Sequence, residues 1–271
     1  MNKVIYFFSG TGNNLAVAKT LSKLLEDTDI LPITTLLTHK KINKKYQIVG
    51  FCSPAYYCHI PPIVKKSMKN LIFTPTQRVF TIVCCSGNQG HSLLDLREAV
   101  NSSNKEVNQE FSLTLPGNNI LLYDAYPKLY QKFLIKKAQK KLSKISYLIL
   151  NNVKTKPASE TILYKLANKN SLNQSIDTLH LKGSLFTINE FCIYCGRCAK
   201  LCPVDNIKVT YNSVTFSNKC QQCMSCIQWC PQHAINYLNQ TQTRQQYHNP
   251  EIKLMDMLCI SDEIDEADQS V

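Results

Sequence analysis

Two cysteine runs near the C-terminal end constrain this chain more than any other feature. The first reads Cys192-Ile-Tyr-Cys195-Gly-Arg-Cys198-Ala-Lys-Leu-Cys202-Pro203, and the second Cys220-Gln-Gln-Cys223-Met-Ser-Cys226-Ile-Gln-Trp-Cys230-Pro231. Each is C-x2-C-x2-C-x3-C-P, and the second copies the first at an offset of 28 residues, Cys192 to Cys220. Three thiolates spaced this closely can wrap a loop around three irons of a four-iron cube, while the fourth starts a short helix and reaches the other cube. That logic gives Cys192, Cys195, Cys198 and Cys230 to one [4Fe-4S] cluster and Cys220, Cys223, Cys226 and Cys202 to a second. Proline after each fourth cysteine turns the chain away and removes a competing N–H. Zinc also takes paired C-x2-C motifs, but typically with a longer gap between the pairs. Two complete copies, each with its proline, favour iron and sulfide.

Gly196 and Ser225 sit where a loop must hug inorganic sulfide, and Ile193, Val204, Ile207, Ile227 and Ile235 can shield the clusters. Between the runs, Ile207–Tyr211 and Val214–Ser217 alternate around Asn212-Ser213, which predicts a hairpin. With Cys-Pro-Val-Asp-Asn-Ile and Cys-Pro-Gln-His-Ala-Ile closing the two runs, residues 188–238 resemble bacterial-type two-cluster ferredoxins. The resemblance implies one-electron transfer at low potential in a small α+β domain.

Thirteen cysteines need a reason. No apolar run is long enough for a membrane helix, and Val4–Phe8 is too short for a signal-peptide core, so a cytoplasmic chain without membrane insertion is expected. Thiols there stay reduced, and metal ligation explains them better than disulfides. Of the other five, Cys52, Cys84 and Cys85 end apolar runs and read as small buried residues, Cys58 lies in a loop, and Cys259 near the C-terminus.

The first 150 residues alternate nearly continuous apolar runs with helical patterns. Strands are expected at Lys3–Phe8, Asp29–Ile33, Gln47–Cys52, Arg78–Cys84 and Glu110–Leu115, and helices at Asn14–Glu26, Pro62–Asn70, Ser92–Asn101 and Pro127–Leu150. Apolar strands alternating with helices predict an α/β fold, a doubly wound five-stranded parallel sheet, of order 2-1-3-4-5 if flavodoxin-like. The expected organisation is a first domain over 1–150, a connector over 151–185 with a helix at Glu160–Asn168, a cluster domain over 186–240 and an acidic tail over 241–271. In the tail, Met255, Met257, Leu258 and Ile260 can anchor a helix.

The first strand runs into Ser9-Gly10-Thr11-Gly12-Asn13-Asn14 and then a helix. Strand, glycine- and hydroxyl-rich loop and helix make an anion site, because backbone N–H groups and the helix N-terminus converge. Glycines at 10 and 12 let the backbone approach a ligand closely. There is no lysine for a Walker loop and no G-x-G-x-x-G. The loop matches the phosphate loop of flavodoxins, with Ser9, Thr11 and Asn14 at its polar positions. By that resemblance FMN binds here, its ring cradled by Ser53-Pro54-Ala55-Tyr56-Tyr57 after the third strand and by Ser86, Gly87, Asn88 and Gly90 after the fourth. Tyr56 or Tyr57 would stack on the ring, and backbone N–H groups of Gly87 and Asn88 would meet its edge. His59 offers a proton donor, and Trp229 reads as core rather than an electron relay.

The whole resembles flavodoxin–ferredoxin fusion proteins of anaerobic microbes. That resemblance implies an electron carrier with two [4Fe-4S] clusters and one FMN, joining one-electron to two-electron redox partners. The alternative is a flavoenzyme in which the clusters feed an FMN that reduces a quinone or nitro compound. Unlike ordinary flavodoxins, residues 1–150 are basic, with 20 Lys and Arg against 8 Asp and Glu. Lys128, Lys132, Lys136, Lys140 and Lys144 stripe the last helix of this region, opposite Leu129, Phe133, Leu142 and Ile145. The stripe is a solvated face or a dock for an acidic redox protein. Without interleaved aromatics it does not read as a nucleic-acid surface.

Overall fold

A computed structural model describes residues 1–166 and 169–258. Cys259, Ile260 and most of the tail's acids lie outside them. The chain forms two compact units, and neither is one continuous stretch. The first comprises Met1–Ser9, Asn13–Pro116 and Lys128–Ile176, and the second comprises Gly10–Gly12, Gly117–Pro127 and the chain from Asp177 onward.

In the first unit, β1 (Lys3–Phe7), β2 (Thr28–Pro32), β3 (Ile48–Pro54), β4 (Arg78–Cys85) and β5 (Gln109–Thr114) form one parallel sheet in the order β2-β1-β3-β4-β5. This is the flavodoxin-like order the alternation of elements predicts. Every residue of β1 and β3 is buried, while edge strands β2 and β5 are partly exposed. Continuous apolar runs therefore belong to strands with helices on both faces. Helix α1 (Asn13–Leu25) buries Leu15, Val17, Ala18, Leu21 and Leu25. Each leucine withdrawn from water contributes about 1.5–3 kcal/mol. Helices α2 (Pro62–Ser67), α3 (Ser92–Asn101) and α4 (Lys128–Leu150) follow the expected pattern. The connection from β2 to β3 instead holds a 3-10 helix, Ile33–Leu37, where Thr35 Oγ1 donates back to the Pro32 carbonyl at 2.8 Å.

The lysine stripe of α4 faces solvent, but Leu129 and Phe133 do too, being 82% and 58% exposed. The buried face begins only at Leu134 and continues through Ile135, Ala138, Leu142, Ile145 and Ile149. After α4 the chain stays on the first unit. Ala158 N donates to Glu110 Oε2 and its carbonyl accepts from Arg97, while Glu110 N donates to Thr155 Oγ1. Helices α5 (Ile162–Leu166) and α6 (Lys169–Asp177) follow.

The second unit contains β6 (Phe186–Ile188), α7 (Arg197–Lys200), the hairpin of β7 (Ile207–Val209) and β8 (Val214–Phe216), α8 (Ser225–Gln228) and β9 (Ile235–Tyr237), which pairs antiparallel with β6. Ile120, Leu121, Phe186, Met224, Ile227, Ile235 and Tyr237 form its core, against which Cys198, Cys220, Cys226 and Cys230 pack. Residues 254–258 are helical, anchored by buried Met257 while Met255 is exposed. No helix among the described residues is long and apolar enough to cross a membrane.

Candidate functional site

The eight clustered cysteines line two cavities. Cys192, Cys195, Cys198 and Cys230 open into one, walled by Ile188, Ile193, Val209, Val214 and Ile235. Cys202, Cys220, Cys223 and Cys226 open into the other, beside Phe186, Val204, Ile207, Phe216 and Met224. Each cavity is thus lined by three thiols of one run and one of the other. Ile193 lines its cavity yet is 59% exposed, so the first cavity is the less covered of the two.

The two runs share one backbone. Tyr194 and Gly196 flank Cys195 at φ 52° and 74°, and Gln222 and Met224 flank Cys223 at φ 47° and 63°. Asp205 and His233, each three residues past a fourth cysteine, repeat the match at 48° and 49°. Left-handed backbone costs a side-chain-bearing residue about 1–2 kcal/mol. Glycine avoids that cost at 196, whereas Met224 bears it. Strain repeated at equivalent positions marks a conformation imposed by what the loop encloses. The αL residues 196 and 224 cap α7 and α8, which carry Cys198 and Cys226.

Backbone N–H groups point at sulfur. Asn206 N donates to Cys202 Sγ at 3.2 Å, Ala234 N to Cys230 Sγ at 3.3 Å and Gln222 N to Cys220 Sγ at 3.3 Å. Such bonds favour thiolate and tune a bound cluster. Burial works the other way, pushing Cys198 up to about 11 and Cys202, Cys220, Cys223 and Cys226 up as well. Without a cation these sulfurs hold their protons, so a metal that takes them must displace protons.

On the sheet, parallel register brings the three loops after β1, β3 and β4 to one edge. The hydroxyl of Ser9, its oxygen fully buried, has no partner among the described residues, and neither has the Gln89 side-chain oxygen in the β4 loop. An orphaned hydroxyl at a helix-capping loop suits a phosphate oxygen, so these residues fit the group the loop implies. The other polar side chains are engaged. Thr11 Oγ1 accepts from Asn118 at 2.9 Å, which leaves its proton to donate, Asn13 Nδ2 donates to the Pro116 carbonyl, and Asn14 Oδ1 accepts from the Cys52 thiol. The loop glycines also meet protein closely. A Cβ on Gly10 would lie 2.0 Å from the Cys223 carbonyl oxygen, and one on Gly12 would lie 3.0 Å from Ile252. Trp229, buried and stacked on His248, also donates from Nε1 to the Gly10 carbonyl.

Ser53 and Pro54 are buried at the end of β3, where the Ser53 hydroxyl donates to the Pro54 carbonyl. Ala55, Tyr56 and Tyr57 are half-buried, and paired backbone bonds between Tyr56 and His59 close the loop. Ser86 and Gly87 are exposed. Asn88 Oδ1 accepts from Gly90 N and from Thr161, which pins the turn. Burial raises the Cys58 thiol and pushes Cys85 up to about 11, and a hydrogen bond to Cys52 followed by burial raises Cys84, consistent with unreactive structural thiols. His59 offers no free nitrogen, since Nδ1 meets Asp95 Oδ2 at 2.9 Å and Nε2 meets the Tyr164 hydroxyl at 3.0 Å. Tyr164 sits in a stretch that reads as linker, and no local sequence signal marks it.

Comparison with known proteins matches residues 186–208 to the 4Fe-4S binding domain family, a span that includes the first cysteine run. No curated protein matches the chain. Among solved structures, a short-chain flavodoxin associated with a bacterial microcompartment aligns over 55% of this chain and 96% of its own, at 14% identity and TM-score 0.38. Flavodoxin 2 from Bacillus cereus aligns over 56% and 99%, at 10% identity and TM-score 0.39. A flavodoxin mutant from Pseudomonas aeruginosa aligns over 55% and 99%, at 12% identity and TM-score 0.38. At these scores the fold of the first unit rests on its own strand order.

Proposed function

From the premise that the chain joins an N-terminal flavodoxin-like fold to a ferredoxin-type 4Fe-4S domain, we propose an electron carrier with two [4Fe-4S] clusters and one FMN. The observation that carries the reading is the repetition of left-handed backbone at matching positions of the two runs, which argues for two equivalent cluster loops. When bound, the clusters supply one-electron steps and the flavin one- or two-electron steps, so the carrier joins partners of both kinds.

The residues divide the work. The eight cysteines hold iron, N–H groups of Asn206, Gln222 and Ala234 stabilise the sulfur charge, and the aliphatic walls exclude water. Ser9, Thr11 and the N–H groups opening α1 hold the phosphate, and the loops over 53–57 and 86–90 hold the ring. The less covered first cavity, bordered by Ile193, Tyr194 and Cys195, is where a partner protein exchanges electrons. The exposed lysines of α4 select an acidic partner by steering its approach.

Iron, acid-labile sulfide and released flavin per chain, measured on anaerobically purified protein, test the reading. About eight iron, eight sulfide and one FMN are expected. About four iron would remove the second cluster, and no flavin after incubation with FMN would remove the two-electron role.

A further inference from the structure

Outside these sites, the start of α3 carries a ligand set to which the carrier reading gives no role. His91, Asp95 and Glu98 share one helix face, and each presents an atom within 4.8 Å of the others. We propose that they form a binding site for one divalent transition-metal cation, ligated by His91 Nε2, Asp95 Oδ1 and Glu98 Oε1, with water completing the shell.

The case rests on how two of the three ligands, His91 and Asp95, are held from behind. His91 Nδ1 lies 3.0 Å from Glu160 Oε1, on a different segment of the chain. A carboxylate there accepts a hydrogen bond from Nδ1–H in the tautomer that leaves the Nε2 lone pair facing Asp95 and Glu98, the arrangement found behind metal-bound histidines. Asp95 is fixed the same way. Its Oδ2 accepts from Ile60 N at 3.0 Å and meets His59 Nδ1 at 2.9 Å, and His59 is braced in turn by Tyr164. That leaves Oδ1 turned toward His91.

The forward distances differ from the rear ones. His91 Nε2 lies 3.8 Å from Asp95 Oδ1 and 3.6 Å from Glu98 Oε1. Both exceed hydrogen-bond range and lie within ion-pair distance, so the three groups face one another without a direct hydrogen bond. Donors on 2.0–2.1 Å bonds around a tetrahedral cation would stand about 3.3 Å apart, within about half an ångström of these spacings. Asp95 is only 7% exposed and Glu98 is 63% exposed, which gives a rigid base and one adjustable arm. One imidazole and two carboxylates suit manganese, ferrous iron or zinc, whereas the thiolate cavities select iron–sulfur clusters.

The test is Mn²⁺ titration of the full-length, cluster-loaded protein under anaerobic conditions, with free Mn²⁺ counted by its EPR signal. Mn²⁺ prefers oxygen and nitrogen to thiolate, so it reports on this site and leaves the cysteines alone. One saturable site per chain is expected, weakened at least tenfold in Glu98→Gln and His91→Gln. Glu98 is 63% exposed and lies outside both cysteine runs, so its variant should keep the parental iron content. Absence of a saturable site at millimolar Mn²⁺ would overturn the proposal. So would parental affinity in both variants, which would place the binding on the acidic tail.

Discussion

Gly10→Ala is the most demanding perturbation of the loop after β1. The new methyl would sit 2.0 Å from the Cys223 carbonyl oxygen and 2.9 Å from its carbonyl carbon. A relaxed contact is about 3.5 Å, so one backbone must retreat by more than an ångström, and no side-chain rotation relieves it. Overpacking costs about 1–3 kcal/mol. Because backbone meets backbone, the upper end applies, equivalent to a fall of about 6–12 °C in Tm. The peptide that moves carries a cavity-lining cysteine, so iron should also fall, toward about four per chain. Circular dichroism melting and iron analysis of anaerobic protein read both effects. Gly87→Ala is the matched control, since nothing lies within 4 Å of its new methyl. A Gly10→Ala protein that melts within two degrees of the parent with full iron would refute the close approach.

Cys202→Ala should empty only the cavity it lines with Cys220, Cys223 and Cys226, lowering iron to about four per chain by elemental analysis. Ser9→Ala should weaken FMN about tenfold in a fluorescence titration, the loss of one hydrogen bond to a charged oxygen at about 1.5 kcal/mol. Arg97→Met removes the counter-charge of the Glu110 carboxylate, 4% exposed and held by Arg97 at 2.6 and 2.7 Å, leaving it the Ala158 N–H, and should cost about 3 kcal/mol in urea unfolding. At Asp29, burial acts to raise the carboxyl pKa, but hydrogen bonds from Tyr46 and Lys45 outweigh it and hold the group below its ordinary value. A depressed folded-state pKa adds stability above the unfolded value and loses it as pH falls through the folded one. Tyr46→Phe should therefore flatten the loss of stability below about pH 4 in acid titration.

The parts of the structure readable in advance are those fixed by local pattern. Continuous apolar runs such as Val4–Phe8 can satisfy both faces only in a central strand, and the cysteine spacing encodes its own loop. The rest depends on contacts far apart in sequence. Leu129 and Phe133 continue the helical period of α4, but that period says nothing about where the sheet ends beneath it. The stretch from Thr155 to Tyr164 is polar and reads as linker, yet Glu110, Arg97, Asn88 and His59 bind it, over separations of 45 residues or more. Gly10 and Gly12 stand at the right positions for a phosphate loop, so nothing nearby reveals that Cys223 and Ile252 also require them to be small.

The interleaving of the two units has a consequence for taking the protein apart. Cutting the gene near residue 150 or 185 would leave Gly10–Gly12 and Gly117–Pro127 on one fragment, and Trp229, Gln228 and Arg244, which donate to Gly10, Asn118 and Ile120, on the other. Each fragment would carry an unfinished surface. A shuffling event that moved the cysteine-rich half into another gene would leave its counterparts behind, so the two halves are tied to one another in inheritance as well as in sequence.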